Sequence, residues 1–335
     1  MIKVGPGWYF KRNQQLWFAA NAQQTAQAVG NVPATETLVL NAYPGAVVGD
    51  SLYFVTENAQ KQSTLWQAKH GQATRLQIFP TQTYLWLFPG KSRVYFAHYP
   101  SYIDDSPNQW GLRQWEKRQP QAVPVTSGAE HPKTRLTDVL ETKDSLLYTL
   151  TAANNQDFPP KDRLWWQAHA SQPSQALDIY IETLSLPKPL LLSTNNHVLV
   201  LQEHPKDTLS RRLFRLNTHR THLEPVPMPP LSERTFLRAT PNGLYVLTDT
   251  RLQSKPPAPL QQQLWFLPDP TLQPCLLHTF NTGQNVELTH TQDNHLYFKV
   301  KPINTSIDYS ADAWVSSGTP ESTQRFKEDL ELLLD

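Results

Sequence analysis

The sequence predicts an all-β protein built from seven copies of one unit of about 49 residues. Three observations support this prediction. An aromatic residue recurs between apolar neighbours, a Leu-Trp pair or a related pair follows it each time, and each apolar run is short and bounded by Asn, Asp, Gly, Pro or Gln. Short runs rich in aromatic and β-branched residues between turn-forming residues are typical of strands.

The first recurring element is an apolar run that usually has Tyr at its centre. Its seven copies are Trp8-Tyr9-Phe10, Leu52-Tyr53-Phe54, Val94-Tyr95-Phe96, Leu147-Tyr148, Val198-Leu199-Val200, Leu244-Tyr245-Val246 and Leu296-Tyr297-Phe298. Six of the seven central residues are Tyr, although Tyr makes up only 12 of the 335 residues, so chance is a poor explanation. Because successive positions are apolar, we expect this strand to be buried on both faces.

The second recurring element is Leu-Trp or a close variant. Its copies are Leu16-Trp17, Leu65-Trp66, Leu112-Arg113, Leu164-Trp165, Leu213-Phe214, Leu264-Trp265 and Ala313-Trp314. Successive second positions are 47 to 52 residues apart. That period is too long for ankyrin or tetratricopeptide units and suits four strands with their turns.

Two further runs complete each unit. Runs such as 73–79, 121–125, 175–179 and 222–226 follow the Leu-Trp element, and runs such as 83–88, 234–239 and 286–290 precede the Tyr element. We name the four strands a to d in chain order, so the Tyr element is strand b and the Leu-Trp element is strand c. The run MIKV at 1–4 takes the place of strand a in the first copy, and the tail 325–335 is open to two interpretations, a last strand or a short helix.

These elements predict a single seven-bladed β-propeller of four-stranded antiparallel blades, because neighbouring blades in such a fold cover both faces of the middle strands. The expected blades are approximately 1–34, 35–80, 81–126, 127–180, 181–228, 229–280 and 281–335.

The pairing of Leu-Tyr-Phe with a later Leu-Trp resembles the bacterial β-propeller repeats written Glu-Leu-Trp-x-x-Asp-Gly-Thr. The run LWQAKHGQAT at 65–74 comes nearest to that repeat, through Gly71, although no copy has the Asp-Gly-Thr turn. The resemblance implies a propeller fold and no particular activity, since the fold hosts unrelated functions.

Composition excludes some classes of partner. The chain has 30 Lys and Arg against 29 Asp and Glu, so it offers no strong positive field for nucleic acid or an anionic membrane. No apolar run is long enough to span a bilayer, and the amino terminus does not resemble a secretory signal. Cys275 is the only cysteine, which excludes an internal disulfide and favours a cytoplasmic location.

Loop lengths supply the main functional hypothesis. The distance from the Tyr position to the Trp position is 8 and 13 residues in the first two copies but 15 to 20 in the other five. Long loops on one face favour a non-enzymatic scaffold that binds a protein partner, as a subunit of a larger assembly, through the b–c loops of blades 3 to 7. The candidate partner-binding residues are Tyr99, Tyr102, Ile103, Asp104, Asp105, Trp110, Phe158, Ile307 and Tyr309.

The alternative hypothesis is a propeller that binds or hydrolyses carbohydrate, with Trp stacking on sugars and Asp104 or Asp105 taking part in the chemistry. Burial of the Trp side chains between blades is the simpler interpretation, and adjacent exposed Asp residues are more often solvated. No complete catalytic motif occurs, so we expect no catalytic residue, cofactor or metal site; the pair His219 and His222 lies in a turn without carboxylates on the same element.

Overall fold

The strands of the propeller are seen in a computed structural model. It describes residues 2–21, 24–39, 45–99, 110–116, 121–131, 133–152, 161–168, 172–182, 191–204, 207–229, 235–251, 260–269, 271–292, 294–302 and 312–325. The chain packs as two compact units, Met1–Pro189 and Leu190–Asp335. In the part of the chain that is described, no helix is long and apolar enough to cross a membrane.

The first unit contains four sheets. Blade 1 comprises β1 (Ile2–Val4), β2 (Gly7–Arg12), β3 (Gln15–Ala19) and β4 (Gln27–Ala28). Blade 2 comprises β5 (Thr37–Leu38), β6 (Gly45–Val48), β7 (Ser51–Glu57), β8 (Gln62–Lys69) and β9 (Gln72–Thr81). Blade 3 comprises β10 (Tyr84–Pro89), β11 (Arg93–Tyr99), β12 (Gly111–Glu116) and β13 (Val123–Ser127). Blade 4 comprises β14 (Thr134–Glu141), β15 (Leu146–Ala152), β16 (Lys161–Gln167) and β17 (Gln175–Glu182).

The second unit contains three sheets. Blade 5 comprises β18 (Leu191–Ser193), β19 (Val198–His204), β20 (Asp207–Leu216) and β21 (Leu223–Pro225). Blade 6 comprises β22 (Thr235–Thr240), β23 (Gly243–Arg251), β24 (Leu260–Pro268) and β25 (Cys275–Thr279). Blade 7 comprises β26 (Gln284–Gln292), β27 (His295–Pro302), β28 (Asp312–Ser316) and β29 (Gln324–Arg325).

Every sheet is antiparallel and built from consecutive strands. The predicted seven-bladed β-propeller is therefore confirmed, with the Tyr element in strand b and the Leu-Trp element in strand c of each blade. Blade 2 differs in that its strand a is divided, because β5 and β6 both pair with β7. The last strand of blade 7 ends at Arg325, so the first residue of the tail lies in a strand and residues 326–335 lie outside the described ranges.

The middle strands are buried on both faces, as their continuous apolar runs predict. In β7 the six residues from Ser51 to Thr56 are all buried, and Tyr53 packs against blade 3 while Phe54 packs against blade 1. Trp66 of strand c stacks on Phe54, so the predicted burial of the Trp side chains is confirmed in this blade. The apolar cores of the described residues thus lie between consecutive blades.

Blade 4 corrects one part of the repeat alignment. In most blades the residue after the Tyr position pairs with the Trp position, as Phe54 does with Trp66. In blade 4, Tyr148 itself pairs with Trp165, so Leu147 occupies the Tyr position and the alignment was wrong by one residue. Because successive strand residues point to opposite faces, Tyr148 faces blade 3, whereas a side chain in the Tyr position faces the next blade.

Polar groups at the ends of the strands join neighbouring blades. The hydroxyl of Tyr245 in blade 6 donates to the carbonyl of Ser316 in blade 7 at 3.0 Å, and burial raises the pKa of this phenol. Glu141 of blade 4 accepts the backbone N–H of Lys91 in blade 3 at 2.6 Å and forms an ion pair with Arg93. Such groups lose their water when the blades pack, so each needs a protein partner.

The loops match the predicted asymmetry only in part. Blade 1 has a two-residue b–c turn in which Asn13 and Gln14 both have positive φ, as the predicted tight connection requires. In blade 5 the prediction of a long b–c loop is wrong, because His204 pairs with Asp207 and the extra residues lengthen the strands. The b–c loops of blades 3, 4, 6 and 7 lie outside the described residues.

The cross-blade hydrogen bonds predict a specific cost for Tyr245→Phe. Removing the hydroxyl deprives the carbonyls of Ser316 and Asn294 of a donor in a buried position, so we expect a loss of about 1–2 kcal/mol in the free energy of unfolding. Denaturant unfolding measures this change. Tyr84→Phe, which changes a half-exposed ring at the edge of blade 3, is the control and should change the free energy of unfolding by less than about 0.5 kcal/mol. Equal losses of stability in Tyr245→Phe and Tyr84→Phe would contradict the role assigned to the Tyr245 hydroxyl.

Candidate functional site

Two of the predicted partner-binding residues lie in the described part of the chain, and both contact blade 4. The Tyr99 hydroxyl donates to the carbonyl of Leu136 at 2.8 Å, and the Trp110 Nε1–H donates to the carbonyl of Thr134 at the same distance. Trp110 is 3% exposed, and burial raises the pKa of Tyr99. These two side chains therefore tie blade 3 to blade 4.

The other seven predicted residues lie outside the described ranges, and their role stays a prediction. They are Tyr102, Ile103, Asp104, Asp105, Phe158, Ile307 and Tyr309. The described residues offer a different candidate site, which also lies at the interface of blades 3 and 4.

The centre of this site is the imidazole of His131, which lies on the chain segment between the two blades. Its Nε2 is 3.2 Å from the hydroxyl of Tyr148 and 3.4 Å from that of Ser174. The ring also lies 4.3 Å from the ring of Trp165 and is stacked at 6.2 Å on Trp110. We call these five residues the His131 cluster.

Local chain geometry positions each member of the cluster. The segment 127–131 turns back on itself, with the backbone N–H groups of Glu130 and His131 both donating to the carbonyl of Ser127. Thr134 then donates its hydroxyl to the carbonyl of His131 at 2.6 Å, which fixes the segment at the start of β14. The strand pairing of blade 4 positions the two aromatic members Tyr148 and Trp165, because both side chains of this pair face blade 3, where His131 lies.

Burial sets the protonation states of the cluster. It lowers the pKa of His131 below its ordinary value of 6.5, although the charge of Glu130 acts in the opposite direction. It raises the pKa of Tyr148 to about 12, so the phenol stays protonated. At neutral pH the cluster therefore combines a neutral imidazole with hydroxyl groups, and Ser174 and Trp165 are its partly exposed members.

A positively charged side chain flanks the cluster on β16. The guanidinium of Arg163 lies 5.8 Å from the ring of Trp165 and 5.7 Å from that of Tyr180. Its Nε donates to the carbonyl of Leu177 at 3.3 Å, and no described carboxylate forms an ion pair with it. Tyr180 is 49% exposed, so this arginine and its two aromatic neighbours form an accessible surface that suits a carboxylate ligand.

This arrangement can perform acid–base chemistry on an anionic ligand. A neutral imidazole hydrogen-bonded to a serine hydroxyl can accept a proton, and a guanidinium that no described carboxylate neutralises can bind a carboxylate ligand. Within the described ranges, no three His, Cys, Asp or Glu side chains are placed to hold a metal ion.

Sequence reasoning did not identify the His131 cluster. Its five members belong to five separate segments of the described chain, and the repeat alignment placed Tyr148 and Trp165 among the ordinary core residues. The adjacent Trp165 and Trp166 were the one available signal, because no other copy carries two consecutive Trp residues at this element.

No protein-family model matches the chain, and no curated protein matches it either. The similarity to the Glu-Leu-Trp-x-x-Asp-Gly-Thr repeats therefore remains a resemblance.

Solved structures do match the fold. The chain is similar to an oligogalacturonate lyase, with 12% identity, a TM-score of 0.55, and coverage of 83% of this chain and 73% of that one. It is also similar to a puromycin-hydrolysing peptidase of Mycobacterium tuberculosis, with 13% identity, a TM-score of 0.55, and coverage of 89% and 49%. The propeller domain of the Trilobed protease of Pyrococcus furiosus, described as having an open velcro topology, matches with 9% identity, a TM-score of 0.51, and coverage of 84% and 83%. The chain thus spans about half the length of the peptidase that it matches, and the similarity establishes the fold.

These comparisons correct the functional hypothesis drawn from loop lengths. The matching structures belong to a lyase and to peptidases, so the expectation of a non-enzymatic scaffold was wrong. Long loops on one face did not distinguish a scaffold from an enzyme, because substrate-binding and partner-binding surfaces both use loops held by a rigid frame.

The lowered pKa of His131 predicts that acid destabilises the protein. The unfolded chain binds a proton at His131 near pH 6.5 while the folded protein resists it, so the free energy of unfolding should fall as the pH drops below about 6.5. Urea unfolding between pH 7.5 and 5 measures this dependence. His131→Gln should flatten this dependence, and an equally steep profile in His131→Gln would exclude this histidine as the cause.

Proposed function

We propose that this protein is an enzyme that acts on acidic oligosaccharides through the His131 cluster and Arg163. One observation supports the proposal: the guanidinium of Arg163, which forms no ion pair with a described carboxylate, lies over the rings of Trp165 and Tyr180, and Trp165 also contacts a neutral imidazole. Stacked aromatic rings bind the apolar faces of sugars, and the guanidinium suits the carboxylate of a uronic acid.

The chemistry follows from these charges. Binding of the uronate carboxylate to Arg163 makes the carbon-bound proton beside that carboxylate more acidic. The Ser174 hydroxyl takes this proton as its own passes to His131 Nε2, a carbon–carbon double bond forms, and the glycosidic oxygen leaves. The proton held by His131 then returns to the departing oxygen, so the reaction is an elimination that needs no co-reactant.

The comparison with solved structures supports an elimination on this class of substrate. The oligogalacturonate lyase and this chain cover most of each other, so the propeller fold accounts for most of both proteins. Because the identity is only 12%, we infer the substrate from the local chemistry of Arg163 and its neighbours and not from the comparison alone.

The proposal is tested by incubating the purified protein with oligogalacturonate. Elimination produces an unsaturated product that absorbs ultraviolet light, whereas hydrolysis produces a new reducing end without that absorbance. We expect the absorbance to rise, kcat to fall by about 100-fold or more in Ser174→Ala and His131→Gln, and KM to rise by about tenfold in Arg163→Gln.

Two controls separate chemistry from folding. Arg75→Gln removes an exposed arginine of β9 and should leave kcat and KM unchanged. Because Ser174 is partly exposed, Ser174→Ala should retain the unfolding midpoint even if a substitution at the buried His131 does not. Absence of the absorbance with intact protein, or full activity in Ser174→Ala, would refute the proposed reaction.

A second candidate function is the hydrolysis of amide bonds. The puromycin-hydrolysing peptidase of Mycobacterium tuberculosis matches 89% of this chain with about half of its own length. If this candidate is correct, the purified protein should cleave amide substrates, alone or together with a protein partner that co-purifies from its host, and it should not act on oligogalacturonate.

A further inference from the structure

Blade 3 departs from the repeat at one position that the proposed enzyme site does not use. Where five of the other blades have Trp and one has Phe, strand c of blade 3 has Arg113. This side chain lies opposite Phe96 of strand b, in a bulge between β12 and β13. A charged group therefore occupies a position that is aromatic in every other blade.

Arg113 is half-buried and has no hydrogen-bond acceptor among the described residues. None of the described residues accepts a hydrogen bond from its guanidinium or forms an ion pair with it. The described carboxylates of blades 2 and 3 already have partners: Glu36 accepts from Thr56, and Asp50, Glu57 and Glu116 pair with Lys69, Lys61 and Arg93. The charge of Arg113 is thus uncompensated within this part of the protein.

A second nitrogen-bearing side chain shares this face of the blade. His98 lies two residues after Phe96 on strand b, opposite Gly111, and its ring occupies the space that a Cβ at Gly111 would take. Its Nδ1 is buried and has no hydrogen-bond partner in the described structure. Phe96 pairs with Arg113 and His98 pairs with Gly111, so Arg113 and His98 lie on the same face of two adjacent strands. Burial and then the charge of Arg113 lower the pKa of His98, whereas a hydrogen bond with the Gly111 backbone acts in the opposite direction.

The neighbouring blade closes this face. Phe79 of β9 lies 5.8 Å from the ring of Phe96 and 6.4 Å from that of His98. His98 and Arg113 therefore lie beside aromatic side chains at the interface of blades 2 and 3. The effective dielectric constant there is lower than in water, so an anion interacts more strongly with a cation.

We propose that Arg113 and His98 form an oxyanion-binding site between blades 2 and 3. A carboxylate or a phosphate presents oxygen atoms at the spacing of the guanidinium fork, and a further oxygen can accept a hydrogen bond from protonated His98. This site lies on a different blade interface from the His131 cluster and does not depend on the proposed elimination.

Binding can be measured with inorganic phosphate and with acetate, each against chloride at equal ionic strength. The readouts are calorimetric affinity and the NMR titration of the His98 imidazole protons. A bound anion should raise the pKa of His98, because it replaces repulsion from Arg113 with attraction. A response to phosphate alone, to acetate alone or to both supports the site and identifies the preferred oxyanion, and no response to either overturns it.

Arg113→Trp is the decisive variant, because it restores the residue that most blades carry at this position and should preserve folding. We expect its affinity for the responding anion to fall by about tenfold or more, and the effect of the anion on His98 to disappear. Arg75→Gln is the matched control and should bind as the unmodified protein does. Unchanged binding in Arg113→Trp would overturn the proposal, and Arg113→Leu provides the same test if the indole does not fit beside His98.

Discussion

Burial of strands b and c on both faces is the constraint on which the rest of this structure depends. Tyr53 and Phe54 are adjacent in sequence, yet they belong to apolar clusters on opposite sides of blade 2. A blade with two apolar faces is stable only between two other blades, so packing between blades, and not within one sheet, holds the fold together. Polar groups trapped by this packing must bind across the interface, as Glu141 and the Tyr245 hydroxyl do.

The same constraint makes strand register decisive for function. A slip of one residue moves every side chain to the other face, and in most positions of a propeller that would bury polar groups and expose apolar ones. Blade 4 keeps the strand pairing of the other blades, with Trp165 opposite the residue that follows the Tyr position. It differs in composition, because Tyr148 occupies that following position, which faces blade 3, and both Leu147 and Tyr148 are buried. A phenol and an indole therefore meet at the interface with blade 3, where His131 contacts both rings.

The two candidate sites share one electrostatic feature. Arg163 and Arg113 are both partly buried, both lie against apolar or aromatic neighbours, and neither forms an ion pair with a described carboxylate. The overall charge of only +1 does not reveal these local imbalances. Uncompensated arginines at partly buried positions favour small anionic ligands, since a low local dielectric strengthens the attraction without a strong field around the whole molecule.

The sequence by itself determined the blade count and the identity of the middle strands. It did so because two-face burial leaves a local signal, a short apolar run that repeats about every 49 residues. Only the tertiary structure decided which face each side chain occupies, as Tyr148 shows, and which distant residues meet, as His131, Ser174 and Trp165 show. The face that a side chain occupies depends on the hydrogen-bond register of its strand, and the meeting of distant residues depends on contacts between segments far apart in the chain. Neither produces a repeating pattern in the sequence.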